Sequence, residues 1–505
     1  MKKLSILLVV AMLLSVLTVS LGSCKKKTST NTPSEEGTTT KKVVANSGDD
    51  DEYNIEPEDL GGFELDILAT KSNTWNMNTD LAPESLTGDR INQAVYSRNQ
   101  MVEGLYNARI IAHEDVDYYK GTERLIADQM AGDNRYDAAY VEGSSVKSAI
   151  TQGCTKNLYS VSELQLDKVW WSQLVKDEAT LGSGKYATLN FMQSNLSLTA
   201  FDLTWCVYFN KSLQESYQLD SFYDMVRDDE WTLEAMQTAA TEVKTLNDDD
   251  SFEYRADGHS IYGITSYWNG AKALLNGCDS QFITYNDEDE LVPNIQTERF
   301  LNMTHDLAVL LRTEGVFTVG GPNESTENTF GNADDYKKIF NAGRALFCIA
   351  EVKSSVKDFK TFEGIFGIVP LPKYNDLQDG YRSWVNYLAP VLVIPSSCTG
   401  TTLHKTGVLL DVLSYYSQRD VLPDYYDVVL KGRGAKDQES TEMLDYINES
   451  KSFDASIAYG WTNQFVEHLS SLLLNGVTDV SGMVATYIDP ITQLIEETMN
   501  AVFEN

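Results

Sequence analysis

The sequence predicts an α/β fold whose C-terminal third is rich in helix. Between residues 63 and 141, strand and helix patterns alternate, which is typical of βαβ units that build a parallel sheet. After Thr401 the pattern is almost wholly helical to the end of the chain. A length of 505 residues with 42% hydrophobic residues is sufficient for about two or three domains with buried cores.

The N-terminus has the features of a secretory signal peptide. A basic start at Lys2 and Lys3 precedes an apolar run from Leu4 to Val19, which small residues separate from Cys24. A basic start, a short apolar run and small residues at a cleavage point direct export. We therefore predict a signal peptide over residues 1–23, with an uncleaved N-terminal anchor helix as the alternative.

The end of this segment, Leu21-Gly22-Ser23-Cys24, resembles the lipobox of bacterial lipoproteins. The resemblance implies cleavage before Cys24 and acylation of its thiol, for example by palmitate. Residues 24–60 carry almost nothing to bury and are predicted to be a flexible tether. We expect the folded part to lie on the extracellular face of the cytoplasmic membrane, attached to the cell membrane only through this lipid.

Strand, helix, strand, helix, strand is the predicted order of the first part of the folded chain. Residues 63–69, 108–112 and 137–141 are short apolar-rich segments and are predicted to be strands. In residues 89–106 the apolar side chains fall close to one helical face, and residues 122–131 are also predicted to be helical. Such alternation predicts a parallel sheet.

The middle of the chain contains further strands and one well-marked helix. The helix covers residues 231–244 and is capped at Thr232, a residue type suited to the N-cap. The segment Gly182-Ser183-Gly184-Lys185 is predicted to be a turn, because Tyr186 stands where a phosphate loop needs Ser or Thr. The predicted strands of this part are residues 205–209, 345–350, 367–369 and 391–394.

Charge and cysteine spacing exclude several partner classes. A formal net charge of −34 excludes nucleic acid as a partner, because phosphate binding needs a basic surface. The cysteines after Cys24 are scattered and lack metal-site spacing, and Cys206 and Cys348 are predicted to be buried. We predict no cofactor and no metal site. For the acidic stretch of residues 247–250, a solvated loop is favoured and calcium binding stays the alternative, since the glycine and glutamate of a calcium loop are missing.

Five segments in a particular order carry a family resemblance. They are Val-Tyr-Phe-Asn-Lys-Ser-Leu at 207–213, Glu-Trp-Thr-Leu-Glu-Ala-Met at 230–236, Ile-Tyr-Gly-Ile at 261–264, Phe-Asn-Ala-Gly-Arg-Ala-Leu-Phe at 340–347, and Phe-Gly-Ile-Val-Pro-Leu-Pro at 366–372. In this order they resemble the family 1 extracellular solute-binding proteins of ABC importers, many of which carry sugars. The resemblance covers the chain from about residue 63 to its end.

The resemblance implies a two-lobe periplasmic-binding-protein-like fold of type II, in which hinge closure traps a ligand between the lobes. Lobe one is expected to comprise residues 61–203 and about 388–450, and lobe two residues 204–387 and about 451–505. The implied function is a monomeric, non-enzymatic solute-binding protein that delivers a sugar or oligosaccharide to ABC permease subunits. A lipid-anchored glycan-active enzyme and an adhesin stay open as alternatives.

Candidate ligand-binding residues follow from the rule that ligands of open α/β sheets bind beyond the carboxyl ends of the strands. A sugar presents apolar C–H faces and hydroxyls, so aromatic rings and Asp, Glu or Asn acceptors suit it. The residues that meet both conditions are Asn73 and Trp75 after the first strand, Glu142 after the third, Asp202 and Trp205 at the first crossing between lobes, Trp268 after residues 261–264, Glu351 after the strand of residues 345–350, Trp384 and Asn386 before the second crossing, and Trp461 at the start of a late helix.

The alternative for these tryptophans is a place in the core, since Trp is highly buried on average. For Trp231 a core position is predicted, and Trp170 and Trp171 are predicted to be packing residues.

Overall fold

The computed structural model describes residues 53–72, 77–78, 81–83, 85–253, 255, 257–320, 329–330, 335–362, 364–430 and 438–503. The predicted signal peptide, Cys24 and most of the predicted tether lie outside the described residues, as do Asn73 and Trp75.

Most of the strands belong to two separate sheets, and two short pairs complete the set. The strands are β1 (Phe63–Ser72), β2 (Met77–Asn78), β3 (Ala108–Asp117), β4 (Ala138–Glu142), β5 (Trp205–Asn210), β6 (Tyr262–Tyr267), β7 (Ile283–Tyr285), β8 (Leu291–Pro293), β9 (Phe317–Gly320), β10 (Thr329–Phe330), β11 (Ala345–Glu351), β12 (Phe366–Val369), β13 (Ser383–Trp384), β14 (Pro390–Val393) and β15 (Lys451–Ser452). All of the strands predicted from the sequence are present.

The first sheet has β1 at its centre. Strands β3 and β4 pair with β1 in parallel, as the βαβ pattern predicts, and β14 pairs with β4 in the antiparallel direction. Met192 forms an antiparallel bridge to Leu392 of β14 and so extends this sheet. Strand β14 therefore joins β4 although more than two hundred residues separate the two strands in the sequence.

The second sheet has the order β10-β9-β6-β11-β5-β12. Strands β9, β6 and β11 are parallel, whereas β5 is antiparallel to both of its neighbours, β11 and β12. Cys206 and Cys348 lie on adjacent strands of this sheet and are fully buried, as predicted, and the described cysteines are all unpaired.

Helices cover both sheets. They are α1 (Arg90–Tyr106), α2 (Gly121–Ala131), α3 (Lys147–Thr151), α4 (Gln173–Ala179), α5 (Thr199–Asp202), α6 (Lys211–Ser216), α7 (Phe222–Arg227), α8 (Leu233–Val243), α9 (Gly270–Gly277), α10 (Glu298–Arg312), α11 (Asp335–Asn341), α12 (Ser354–Lys357), α13 (Gly400–Tyr416), α14 (Leu422–Leu430), α15 (Gln438–Glu449), α16 (Ala455–Ala458), α17 (Asn463–Leu474) and α18 (Ser481–Phe503). One-turn 3₁₀ helices occur at Tyr118–Lys120, Gly143–Ser145, Leu158–Ser160 and Gly184–Tyr186, and a π-helical turn at Ser417–Val421. Within the described ranges, none of the helices has the length and apolar character needed to cross a bilayer.

The C-terminal helices are divided between the sheets. Helix α13 packs on α1 and β1 of the first sheet, while α15 packs on β12 of the second sheet and α17 packs on α10. Helix α18 contacts both β8 and α3. The chain thus passes between the sheets repeatedly, through segments that include residues 193–204, 382–389 and 450–454.

The start of α8 shows how local sequence and packing agree. Thr232 is the N-cap, as predicted, and its hydroxyl accepts a hydrogen bond from Ala235 N. The preceding Trp231 is fully buried, which confirms its predicted core position. Its ring packs against Phe222 and Phe347, and its Nε1 donates to the carbonyl of Pro370 at 2.9 Å. The tryptophan therefore joins α7, α8 and the second sheet.

A buried carboxylate organises the predicted packing residues Trp170 and Trp171, which are both 1% exposed. Asp411 of α13 is fully buried and accepts hydrogen bonds from both indole nitrogens, at 3.0 and 2.8 Å. It also accepts from Gln165 N and Gln165 Nε2, each at 2.9 Å. This arrangement attaches the segment that leads into α4 to the first sheet.

The acidic stretch of residues 247–250 forms a hydrogen-bonded loop. Oδ2 of Asp249 accepts from the backbone nitrogens of His259 and Ser260 and from the Ser260 hydroxyl. These hydrogen bonds, first of all that from the Ser260 hydroxyl, lower the Asp249 pKa to about 2. In the described part of the chain, no group of three or more His, Cys, Asp or Glu side chains is arranged to hold a metal ion.

Candidate functional site

Predicted site residues stand at the carboxyl ends of strands in both sheets. Glu142 ends β4 of the first sheet, Trp268 directly follows β6 of the second sheet, and Glu351 ends β11 beside it. The segment of residues 385–389, which leads from β13 to β14, contacts both sheets: Ala389 O accepts from Gly143 N, and Asn386 Nδ2 donates to Oε1 of Glu351. Because the ends of the strands and this segment meet, side chains from both sheets can reach one ligand.

Glu142 is held against the crossing segment by backbone hydrogen bonds. Gly143 N donates to Ala389 O at 3.1 Å, and Ser144 N donates to Tyr387 O at 2.9 Å. The Ser144 hydroxyl donates to Oε1 of Glu142. The carboxyl group is buried, and burial raises its pKa above the ordinary value, while the hydrogen bond from Ser144 opposes this. Such a carboxylate is a ready acceptor for a ligand hydroxyl.

Trp268 is half-buried and lies next to a buried ammonium group. Nζ of Lys272 is 4.2 Å from the centroid of the Trp268 ring and 5.4 Å from that of Tyr387, and it donates to Oε1 of Glu467. Burial lowers the Lys272 pKa, and the hydrogen bond that Lys272 donates to Glu467 opposes this. Lys272 and Glu467 therefore form an ion pair beside the indole, and a cation over an aromatic face stabilises the position of the ring.

Tyr387 connects the residues from the two sheets. Burial raises its pKa to about 12, and the negative charges of Glu467 and Glu142 add to the effect. Both carboxylates thus lie close enough to influence its hydroxyl. In the described residues, Nε1 of Trp268 and Oδ1 of the neighbouring Asn269 are buried and have no hydrogen-bond partner in the protein. Buried polar atoms are normally paired, so these two can bind water or a ligand.

A second group of predicted residues adjoins the first through Trp384. The Trp384 ring lies 6.3 Å from Tyr387 and 5.6 Å from Trp205, measured between ring centroids. Trp384 is 2% exposed and Trp205 is 3% exposed, so they pack mainly against each other and the crossing segments.

Asn386, Glu351 and Asp202 complete this second group. Nδ2 of Asn386 donates to Oε1 of Glu351 at 3.4 Å, and Oε2 of Glu351 pairs with Nζ of Lys353 at 3.0 Å. Lys353 N donates to the carbonyl of Asp202, whose carboxylate accepts from the Tyr425 hydroxyl. The three predicted acceptors are therefore joined through one hydrogen-bond network at the first and second crossings.

Trp461 lies apart from the other predicted residues. It stacks on Tyr459 with a centroid separation of 4.9 Å and an angle of 18°, and its Nε1 donates to the Thr498 hydroxyl at 2.9 Å. It lines a cavity of about 310 Å³ whose charged residues include Glu178 and Arg382. Trp268 does not line this cavity, so Trp461 lies away from the group of residues around Trp268.

Several residues of the site were not predicted from the sequence. The sequence indicates Lys272 only weakly, since this residue follows Trp268 by one helical turn. Ser144 is indicated in the same way, by its place two positions after Glu142. Nothing in the sequence indicates Glu467 as a site residue, because 195 positions separate it from Lys272. Tyr425 is similarly 223 positions from Asp202, so only the packing of α14 reveals their contact.

Comparison with known proteins identifies the fold. No protein-family model matches the chain, and no curated protein matches it by sequence. The cyclic α-maltosyl-1,6-maltose binding protein from Arthrobacter globiformis matches 86% of this chain and 100% of that chain, with a TM-score of 0.53 and 12% identity. M. tuberculosis UspC matches 86% of this chain and 100% of that chain, with a TM-score of 0.52 and 13% identity.

A third match is the ABC substrate-binding protein Lmo0181 from Listeria monocytogenes, solved in complex with cycloalternan. It covers 86% of this chain and 99% of that chain, with a TM-score of 0.50 and 11% identity. At such identities the likeness establishes the fold. The chain has the mixed α/β, periplasmic-binding-protein-like fold of carbohydrate-type ABC solute-binding proteins, with a helix-rich C-terminal region, and the predicted fold class is confirmed.

Proposed function

We propose that this protein is the substrate-binding lipoprotein of an ABC importer, which captures a sugar or oligosaccharide between two lobes and delivers it to membrane permeases. The observation that carries the proposal is the position of Tyr387 in the crossing segment: it lies near Glu142 of the first sheet and near Lys272 of α9, which packs on the second sheet. The ammonium group of Lys272 also lies over the Trp268 ring. A ligand held by both sheets is enclosed when they approach each other.

The chemistry of the site suits a carbohydrate. Trp268 and Tyr387 offer aromatic surface to apolar sugar faces, and Glu142 offers a carboxylate acceptor to hydroxyls. The positive charges of Lys272 and Lys353 are already paired with Glu467 and Glu351. One structural match is a cyclic α-maltosyl-1,6-maltose binding protein, and another was solved in complex with cycloalternan, which supports the same ligand class.

The remaining parts of the proposal concern the boundaries and the anchor. The predicted lobes are residues 61–203 with about 388–450 and residues 204–387 with about 451–505; the proposal keeps this division except for α15, which packs on β12 and therefore moves with the second sheet. Asn73 and Trp75 stay proposed ligand-binding residues, and the protein binds its ligand without converting it. Acylated Cys24 holds the protein on the extracellular face of the membrane.

Titration calorimetry with a panel of neutral oligosaccharides, including cyclic ones, tests ligand capture. We expect affinity near the micromolar range, about −8 kcal/mol, a smaller radius of gyration by small-angle scattering when the ligand is bound, and recovery of the ligand unchanged. Hydrolysis of the oligosaccharide would instead establish the glycan-active enzyme. Absence of binding to every sugar together with binding to a glycan surface would favour the adhesin.

Trp268 provides the test of the site itself. Trp268→Ala removes the stacking surface and is expected to weaken sugar binding at least tenfold, or about 1.4 kcal/mol. Trp268→Phe is the matched control, because it keeps an aromatic face and should retain most of the affinity. Equal affinities of wild type and Trp268→Ala for a sugar that the protein binds would contradict this placement of the site.

A further inference from the structure

The cavity lined by Trp461 contains a charge cluster that the proposed ligand site does not use. Its centre is the guanidinium of Arg382, whose side chain is 14% exposed. Nη1 of Arg382 donates to Oε1 of Glu178, and its Nε lies 2.6 Å from Oδ1 of Asp279. The side chains of Glu178 and Asp279 are 20% and 22% exposed, so solvent screens these ion pairs less than it screens pairs at the surface.

Glu178 belongs to the body of the first sheet. It lies in α4, and the segment before this helix is tied to α13 through the hydrogen bonds of Trp170 and Trp171 to Asp411. Helix α13 packs on β1, the central strand of the first sheet. The carboxylate of Glu178 therefore follows the first sheet when the two sheets move relative to each other.

Asp279 belongs to the body of the second sheet. It follows α9, which packs on β11 and on α10. Arg299 of α10 donates from Nη1 to the carbonyl of Asp279 at 3.0 Å and from Nη2 to that of Cys278 at 3.2 Å. This carboxylate is therefore fixed to the second sheet independently of Arg382.

Arg382 itself stands in the segment that crosses between the sheets, directly before β13. Ser383 N donates to the carbonyl of Ser450, and Ser452 of β15 donates from its hydroxyl to Oε1 of Glu178 at 2.9 Å. One guanidinium thus joins a carboxylate of each sheet at a point where two crossing segments meet. A relative rotation of the sheets must lengthen or reorient at least one of its two ion pairs.

A second contact spans the same gap. The Tyr285 hydroxyl, on the hairpin of β7 and β8, accepts a hydrogen bond from Gly182 N at 3.1 Å, just beyond α4. The cavity of about 310 Å³ lies beside these contacts and is bounded by Leu174, Leu291 and Trp461. The side chains around the cluster therefore have space to rearrange when the sheets move.

We propose that Arg382, Glu178 and Asp279 form a clasp that holds the two sheets in their present relative orientation and so sets the free energy of hinge motion in the absence of ligand. The clasp rests on the proposed function, because it acts on the closure that captures the ligand. It lies outside the group of residues around Trp268 and Tyr387.

The clasp is tested by measuring the distance between the two sheets in the protein without ligand. Spin labels at Met130→Cys on α2 and Val309→Cys on α10 report this distance, since these side chains are 64% and 42% exposed on opposite bodies. A Cys24→Ser background keeps labelling specific, because the described cysteines are buried. The clasp variants are Glu178→Gln and Asp279→Asn, which remove one charge each without a change of shape.

The matched control is Glu442→Gln, which breaks the 2.8 Å ion pair with Arg227. Both partners of that pair lie on helices that pack on β12, so the control leaves the junction between the sheets intact. We expect each clasp variant to shift or broaden the distance distribution and the control to superimpose on wild type. Clasp variants that fold normally by circular dichroism and keep the wild-type distribution would overturn the proposal. Since no sugar is present, failure of sugar binding would leave this result unaffected.

Discussion

Asp411 is predicted to stabilise the first sheet through the tryptophans that it holds. Asp411→Ala removes the acceptor of two fully buried indole N–H groups, which are 3.0 and 2.8 Å from Oδ1. A buried donor left without a partner costs about 1–3 kcal/mol, so the two indoles together cost about 2–6 kcal/mol. The two hydrogen bonds from half-buried Gln165 add less, because water can reach that residue. We therefore expect Asp411→Ala to lower the free energy of unfolding by about 4 kcal/mol.

Asp411→Asn is the informative comparison. Its amide oxygen can replace Oδ1 and keep both indole bonds, while rotation of the Gln165 amide can restore the fourth hydrogen bond. Only the additional strength of a charged acceptor is lost, at about 1 kcal/mol.

Urea unfolding, monitored by tryptophan fluorescence, measures both variants against wild type. Their midpoint concentrations are compared, provided that the dependence of the unfolding free energy on urea concentration is unchanged. A loss below about 1 kcal/mol for the alanine variant, or equal losses for the two variants, would refute the reasoning.

Three further predictions concern the core, the hinge and the anchor. Trp231→Ala should lower the free energy of unfolding by about 3–5 kcal/mol and leave sugar affinity unchanged in calorimetry; normal stability with lost affinity would place Trp231 in the site instead. Burial, together with the negative charge of Glu178, raises the Asp454 pKa to about 7, although the hydrogen bonds from Ser456 and the charge of Arg382 lower it. Because the folded state then holds a proton that the unfolded state has lost, stability should fall as the pH rises from about 4 to about 7. Asp454→Asn should reduce the decrease of the melting temperature between about pH 4 and about pH 7. A decrease as large as that of wild type would contradict the assignment of this pH dependence to Asp454. Cys24→Ala should move the protein out of the membrane fraction, whereas undiminished membrane association would disprove acylation at Cys24 as the anchor.

The sequence by itself determined the elements of this protein and the order in which they occur. Strand and helix patterns depend on side chains a few positions apart, and the cap at Thr232 needs only its own helix. The strands β1, β3 and β4 and their parallel pairing followed from this local information, as did the burial of Trp231. The rule of strand ends also selected Glu142, Trp268 and Glu351 before any contact was known.

Only the tertiary structure decided which of these positions share a site. Tyr387 joins Glu142 to Trp268 because a late crossing segment passes between two sheets, and no periodicity within either segment encodes that approach. The ion pairs of Lys272 with Glu467 and of Glu178 with Arg382 join residues 195 and 204 positions apart. The tryptophans show the same limit, since Trp205 and Trp384 end up 3% and 2% exposed while Trp268 stays half-buried. All three stand at ends of strands, and their exposure depends on which distant segment covers each ring, which is a property of the packed chain.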